Sequence, residues 1–343
     1  MACYHPLKAF RIGIHPKTGK PRYKITSYDI NWIRLTSEGN WQCYTDGVPF
    51  GDYVSDSIDI PCGKCIGCRL AYSRDWANRC MLEASYHDEC HFLTLTYDDD
   101  HLPENDIVDM RTGEIKQSPV HTLVPRDLQL FMKRLRKNSG QQLRFFACGE
   151  YGSRTHRPHY HLIVFGLHLD DLQVLKSNFR GELYYRSPLV EKCWTYGYSM
   201  VCDVSWDTCA YVARYVVKKI KGASAELYND FNIVPPFVRM SLKPGIGRLY
   251  YDDHKDNIYK YDKIFMSTNK GGRVFKPPRY YDKLYDLEYP SDMDVIKQQR
   301  AAVAENIKIN KLKRTDVDYL DYLSIEEDTL TSRLGEIKER STV

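Results

Sequence analysis

The 343-residue sequence contains no run approaching the roughly 18 apolar residues of a membrane span, and its start, Met1-Ala2-Cys3-Tyr4-His5-Pro6, lacks the apolar core of a secretory signal. Both absences lead to the expectation of an intracellular protein with no membrane partner. No Gly-x-x-x-x-Gly-Lys-Ser/Thr phosphate loop occurs, so nothing supports an intrinsic helicase. There is no internal repeat. An even cysteine count is missing too: eleven cysteines without a secretory signal argue against a disulfide framework and for thiols, metal ligands or small core residues. A net charge of +4 is too small by itself to indicate a nucleic-acid partner.

What is present is unevenly distributed. Arg126, Lys133, Arg134, Arg136, Lys137 and Arg144 crowd a segment whose only acid is Asp127, and a second basic zone with aromatics runs from Arg239 to Arg279. A charge run is usually a solvated face. With 27 tyrosines, several beside these cations, stacking on unpaired bases becomes an option.

Periodicity supplies the elements. Residues 1–60 read as short strands and turns; Arg69 to Tyr86 reads as a helix, Phe92 to Tyr97 as a strand, and Pro125 to Lys137 as an amphipathic helix with Leu128, Phe131, Met132 and Leu135 inward. Leu143 to Cys148 is a strand that the turn-rich Gly149-Glu150-Tyr151-Gly152-Ser153 joins to a second strand beginning at Pro158. Residues 170–179 read as a helix, 199–204 as a strand, and Ser205 as the N-cap of a helix from Trp206 to Ile220. This order predicts an α+β fold, an antiparallel β-sheet with helices packed against one side. Expected domains are a Cys-rich N-terminal region and helix (1–88), a core (89–222), a basic, aromatic extension on an extended path, expected to contact nucleic acid (223–290), and a helical tail (291–343).

The most informative stretch is His159-Tyr160-His161 at the head of an apolar run. Side chains two apart on a strand share a face, roughly 6 to 7 Å apart, so two imidazoles can take two positions of one divalent metal. Such a pair is also compatible with two half-exposed histidines. Glu150, at the end of the paired strand, is the best third ligand in reach, with His156 a weaker competitor. A mixed nitrogen and oxygen set suits Mn²⁺ or Mg²⁺.

Tyr211 and Tyr215, four apart on the last core helix, share a face with Lys218 one turn on, while Val212, Val216 and Ile220 form a separate apolar stripe. A phenol is a poor nucleophile at neutral pH unless its target is made more electrophilic, which a metal on a phosphate does. Beside a metal clamp, the tyrosines read as candidate catalytic nucleophiles for a phosphodiester, Lys218 as a charge shield or proton acceptor, and Arg214 and Lys219 as holders of the DNA backbone, with Arg134 and Lys137 as further DNA contacts.

At these residues the chain resembles the HUH endonucleases, and among them the replication initiators of microviruses, small single-stranded DNA phages of gokushovirus type. Phe92-Leu93-Thr94-Leu95-Thr96-Tyr97, Gly149-Glu150-Tyr151-Gly152 with His159-Tyr160-His161, and Tyr211 to Lys219 carry the resemblance, with Pro61 to Arg69 and the opening residues as further likeness. The resemblance implies rolling-circle replication in the cytoplasm of a bacterial host: nicking of the viral strand at an origin, a 5′-phosphotyrosine link, and rejoining of the displaced strand. It implies single-stranded origin DNA as substrate and a host helicase and DNA polymerase as partners. Arg214 stands where related initiators carry Lys, which moves proton transfer onto Lys218. Two other readings use the same residues: a transposase or relaxase of the same fold, and a non-catalytic zinc-containing DNA-binding protein.

Cys62, Cys65 and Cys68 form a separate motif. A bacterial ferredoxin pattern fails at Tyr72 and Ser73, so the metal reading is structural Zn²⁺ with Cys3, His5 or Cys43 as fourth ligand. The alternative is reduced cysteines in a Gly-rich turn capping a helix.

Overall fold

The structure, a computed structural model, describes residues 3–17, 19–108, 111–152, 155–178, 181–215, 223–268 and 271–340. The chain packs as two units, one of residues 1–71 and 300–343 and the other of residues 72–299.

The chain opens with β1 (Leu7–Ile14), β2 (Pro21–Ser27), β3 (Trp32–Leu35), β4 (Trp41–Tyr44) and β5 (Ser57–Ile60), followed by α1 (Ile66–Ala84). Next come β6 (Cys90–Tyr97), β7 (Asp106–Val108), β8 (Ile115–Gln117), α2 (Pro125–Ser139), β9 (Arg144–Tyr151) and β10 (Pro158–Phe165). Then β11 (Gln173–Ser177), β12 (Leu183–Arg186), α3 (Pro188–Cys193), β13 (Gly197–Asp203), α4 (Trp206–Tyr215) and α5 (Ala223–Asp230). The rest comprises β14 (Phe237–Met240), α6 (Arg248–Tyr261), β15 (Ile264–Thr268), β16 (Gly271–Phe275), α7 (Arg279–Glu288), α8 (Pro290–Leu312) and α9 (Tyr319–Arg340).

In the first unit β2, β1 and β5 form an antiparallel sheet and β3 pairs with β4. α9 runs beside the end of α8, where the Lys311 ammonium donates to the Glu326 carboxylate at 2.6 Å.

The second unit is built on a seven-stranded antiparallel sheet in the order β11-β12-β13-β6-β10-β9-β14. This is the expected α+β architecture, with one difference: helices cover both faces. Tyr160, Leu162 and Val164 of β10 join the layer under α2 and α3, with Leu128, Phe131, Leu135 and Trp194, while Ile163 and Phe165 join the layer under α1 and α4, with Trp76, Cys80, Cys209 and Val212. Every residue of β10 except His159 is buried. A strand covered on both sides reads as a continuous apolar run, so it carries no signal of one-sided packing. α2 begins with Pro125 at its first turn and ends at Gly140 in the left-handed region, whose N–H donates to the Arg136 carbonyl. Its four inward residues each contribute about 2 kcal/mol by leaving water.

Three expectations are corrected. Of the helix expected over 170–179, the described residues 170–178 are not helical and Phe179 lies outside the described residues; Gln173–Ser177 is an exposed edge strand paired to β12, a short apolar run being ambiguous between helix and strand. Gly149 to Tyr151 lie inside β9, paired to Tyr160, His159 and Pro158, so the reversal starts at Gly152. The region 223–290 is not merely extended chain: α6 and α7 pack Tyr251, Tyr259, Tyr281 and Tyr285 into a third core cluster with Leu82 of α1. Its aromatics disguise the helices, since tyrosine marks strands and interfaces as readily as helix cores. Among the described residues no helix is long and apolar enough to cross a membrane.

Gly197 opens β13 opposite Tyr97 with φ +146°, and a Cβ there would stand 2.3 Å from the Asp98 nitrogen and 2.5 Å from the Thr96 carbonyl oxygen. These are backbone atoms of the neighbouring strand and cannot step aside. Gly197→Ala is therefore expected to lower unfolding free energy by about 2–4 kcal/mol. A urea midpoint equal to wild type would contradict this.

Candidate active site and metal centre

Strand register builds the site. His159 is directly opposite Glu150 on β9, and His161 is opposite Thr94 on β6, so the four side chains share one face of the sheet. One carboxylate oxygen of Glu150, Oε1, lies 2.9 Å from Nε2 of His159 and 3.0 Å from Nε2 of His161. Glu150 and His161 are buried and His159 half-buried.

The other ring nitrogens fix what these three atoms are. Nδ1 of His159 donates to the Arg157 carbonyl at 3.1 Å, since a carbonyl can only accept, and Nδ1 of His161 is held at 3.0 Å by the Thr94 hydroxyl. A neutral His159 thus turns its Nε2 lone pair toward a carboxylate. Such convergence is stable only with positive charge among the atoms, whether a proton on an imidazole or a divalent ion. The spacing suits the ion: cis ligand atoms with bonds of about 2.1 Å lie about 3 Å apart. Burial pushes the Glu150 carboxyl up, and the two imidazoles overcome it and hold it below the usual carboxylate range. The residues fit Mn²⁺ or Mg²⁺ with positions left for a phosphate.

α4 brings the phenol. Ser205 caps the helix, its hydroxyl accepting from the Thr208 N–H at 3.2 Å while the Thr208 hydroxyl accepts from the Ser205 N–H at 2.8 Å. Cys209, Val212 and Ala213 are buried against the sheet. Tyr211, half-buried, sets its hydroxyl 3.5 Å from Nε2 of His161, with ring centroids 5.0 Å apart. Phe92 stacks on His161 and meets Tyr211 edge-on, fixing both rings. Tyr215 is the last residue of α4; Val216, Lys218, Lys219 and Ile220 lie outside the described residues.

Three other candidates, Arg134, Lys137 and His156, do not join this site. Arg134 and Lys137 belong to α2 on the other face of the sheet, where Arg134 donates to the Cys193 carbonyl and the Thr195 hydroxyl and Lys137 is exposed. His156 is exposed in the hairpin turn. Thr94 and Phe92, which orient His161, enter the sequence reading as members of the Phe92–Tyr97 motif, with no role of their own there. Arg157 is equally inconspicuous there, and it ties the hairpin to the end of β6 by an ion pair with Asp99 and a 2.9 Å bond to the Tyr97 carbonyl.

A family model for replication-associated proteins of the ORF2 type matches residues 90–220, the span that contains all of these site residues. The replication-associated protein ORF2 of Spiroplasma virus 4 is 31% identical over 342 residues, covering 97% of this chain and 96% of its own. The chain belongs to the family of phage replication-associated proteins. Replication-associated protein VP4 of Bdellovibrio phage phiMH2K is 30% identical over 68% of this chain and 70% of its own, and replication-associated protein ORF4 of Chlamydia phage 1 is 34% identical over 74% and 62%. No solved structure matches the chain. The microviral resemblance read from the motifs agrees with this family of replication-associated proteins.

A buried hub outside the site braces this replication-associated protein. Glu83 of α1 accepts from the Arg144 guanidinium at the start of β9 and from the Gly247 N–H at 2.6 Å, while Arg144 also donates to the Pro244 carbonyl at 2.7 Å. Burial pushes the Glu83 carboxyl up, but His87, Gly247 and Arg144 together hold it below its usual range. Its stabilisation is thus present above the unfolded carboxylate pKa and fades as pH falls through the lower folded value. Glu83→Gln is expected to cost about 3 kcal/mol near neutrality and much less in acid. The check is the wild-type minus variant stability between pH 7 and 3; a difference that stays constant would contradict the assignment.

Proposed function

We propose that this member of a phage replication family is the initiator nuclease of rolling-circle replication. The observation that carries the reading is the Tyr211 hydroxyl 3.5 Å from a metal-ligand nitrogen, on the same sheet face as Glu150, His159 and His161. A divalent cation held by those three residues supplies Lewis-acid withdrawal of charge from a non-bridging phosphate oxygen.

The chain's own residues account for the rest. The Tyr211 oxygen bonds to phosphorus as the bond from phosphorus to the 3′-oxygen breaks, leaving a 5′-phosphotyrosine and a 3′-hydroxyl. Lys218 shields the phosphate charge or helps take the phenolic proton, and the departing 3′-oxygen is protonated from solvent as the phenol gives up its proton, so charge and protons balance. A phosphodiester is exchanged for another of similar energy, which makes the break reversible without ATP. Tyr215 serves as the second nucleophile, holding or attacking while the other is occupied. Arg214 and Lys219, beside the nucleophiles in sequence, hold the scissile strand, and exposed Lys137 on α2 is a more distant backbone contact. Unwinding and synthesis fall to a helicase and a DNA polymerase of the bacterial host, in whose cytoplasm the protein would act.

The test is incubation with single-stranded DNA carrying the origin. A protein–DNA adduct that survives denaturation, needs Mn²⁺ or Mg²⁺ and vanishes with chelator supports the reading. DNA binding with no adduct under any divalent metal would favour a non-catalytic DNA-binding protein instead.

A further inference from the structure

The first unit contains a second metal-like constellation, remote in sequence from the tyrosines. The Sγ atoms of Cys3, Cys62, Cys65 and Cys68 all lie within 4.8 Å of one another. Cys62 to Cys68 and Cys65 to Cys3 are each 3.9 Å apart, too far for a disulfide bond. They are close to the roughly 3.8 Å between sulfurs of a tetrahedral ion with 2.3 Å bonds. An iron–sulfur cluster interposes several irons and sulfides and needs its thiolates farther apart.

Backbone geometry addresses the same sulfurs. Cys62-Gly63-Lys64-Cys65 folds as a tight knuckle with Gly63 at φ +71°, so that the N–H groups of Lys64 and Cys65 point at the Cys62 sulfur at 3.4 and 3.3 Å. The N–H groups of Tyr4 and Cys68 point at the Cys65 sulfur, both at 3.4 Å, and that of Cys62 points at the Cys3 sulfur at 3.2 Å. Donors aimed at sulfur stabilise thiolate over thiol, and Cys65 directly precedes α1 while Cys68 lies in its first turn. Among the fourth ligands the sequence left open, the structure brings in Cys3; the His5 ring bonds Glu327 at 2.6 Å and Cys43 is exposed on β4.

We propose that Cys3, Cys62, Cys65 and Cys68 bind one structural Zn²⁺ that fastens the start of the chain to the first turn of α1. All four positions are filled by protein, which leaves none for substrate and makes the site structural. The ligands arrive from segments about sixty residues apart, so the ion closes a long loop within this unit. Tyr4 and Leu323 of α9 are buried beside Cys65, so the clamp also organises the packing of α9 in the same unit.

Metal analysis of the full-length untagged protein tests this directly. About one tightly held zinc per chain is expected, surviving dialysis against weak chelators. In the native protein, Cys3, Cys62, Cys65 and Cys68 should resist alkylation until denaturation with a strong chelator removes the zinc, while exposed Cys43 reacts at once as an internal control. Cobalt exchanged into the site should show intense thiolate-to-metal absorption that persists unchanged in Glu150→Gln and is weakened and shifted in Cys3→Ser, where one of four thiolates is removed. Absence of zinc with all four thiols freely alkylated overturns the proposal, as does iron in its place, or a Cys3→Ser variant that keeps the wild-type cobalt–thiolate spectrum. Should Cys3→Ser fail to fold, the wild-type zinc content and alkylation pattern decide alone. None of these readouts depends on DNA cleavage.

Discussion

Mixed with origin-bearing single-stranded DNA and Mn²⁺, the Tyr211→Phe, Tyr215→Phe double variant is expected to form no covalent adduct, a loss of about 10⁴-fold or more. The substitution deletes two oxygen atoms and leaves the rings. The Tyr211 ring keeps its edge contact with Phe92 and its packing beside His161, so the fold should persist with a melting temperature within about 3 °C of wild type. Single variants sharpen the result. Tyr211→Phe removes the hydroxyl that stands next to Nε2 of His161 and should abolish first-strand nicking if that tyrosine opens the cycle. An adduct of undiminished yield in the double variant would remove the phosphotyrosine chemistry altogether.

Removing a ligand should act differently. Glu150→Gln preserves size and hydrogen bonding while deleting the one negative charge among the three ligand atoms, so divalent-ion affinity and cleavage should fall together. Several kcal/mol of transition-state stabilisation correspond to a rate loss of roughly 10³-fold. Cleavage should recover in part at higher Mn²⁺, because the two imidazoles remain. His161→Ala should lose as much without recovery, since it removes a ligand and also the ring stacked on Phe92. Affinity for single-stranded DNA, measured without metal, should change little in either variant because binding rests on distributed cationic contacts. Equal loss of binding and cleavage would mean that the pair holds the fold rather than a metal.

The site is legible in the sequence to the extent that it depends on local periodicity. Two histidines on alternate positions of a strand share a face whatever that strand packs against, and a hairpin carries a nearby carboxylate across to them. Placing Glu150 in a turn is an error of detail, because glycines at 149 and 152 imitate a turn even when the ladder continues through the first of them. The contributions of Phe92 and Thr94 depend on β6 lying beside β10, a pairing separated by more than sixty residues, and no local pattern reports it. The same holds for Cys3, whose partners at 62, 65 and 68 are contiguous while it is not. The helices of residues 248–288 escape notice because their buried face is made of tyrosines, a residue type equally at home in strands and at DNA surfaces. Basic residues on α2 illustrate the opposite risk: Arg134 stands out by charge, yet its guanidinium is occupied with the loop after α3.

Because β10 is covered on both sides, its hydrogen-bond ladder acts as an error check on the assembly of the candidate site. A slip of one residue against β9 would turn Tyr160 toward the Glu150 side, away from its hydrogen bond with Tyr97, and drive His159 and His161 into the layer beneath α2, among Leu128, Phe131 and Leu135. Such a chain would be inert and unstable at once, never a slow version of the correct one. Under the proposed nuclease reading, the fraction of molecules able to cut DNA should therefore equal the fraction correctly paired, and active-site titration becomes a count of properly folded protein.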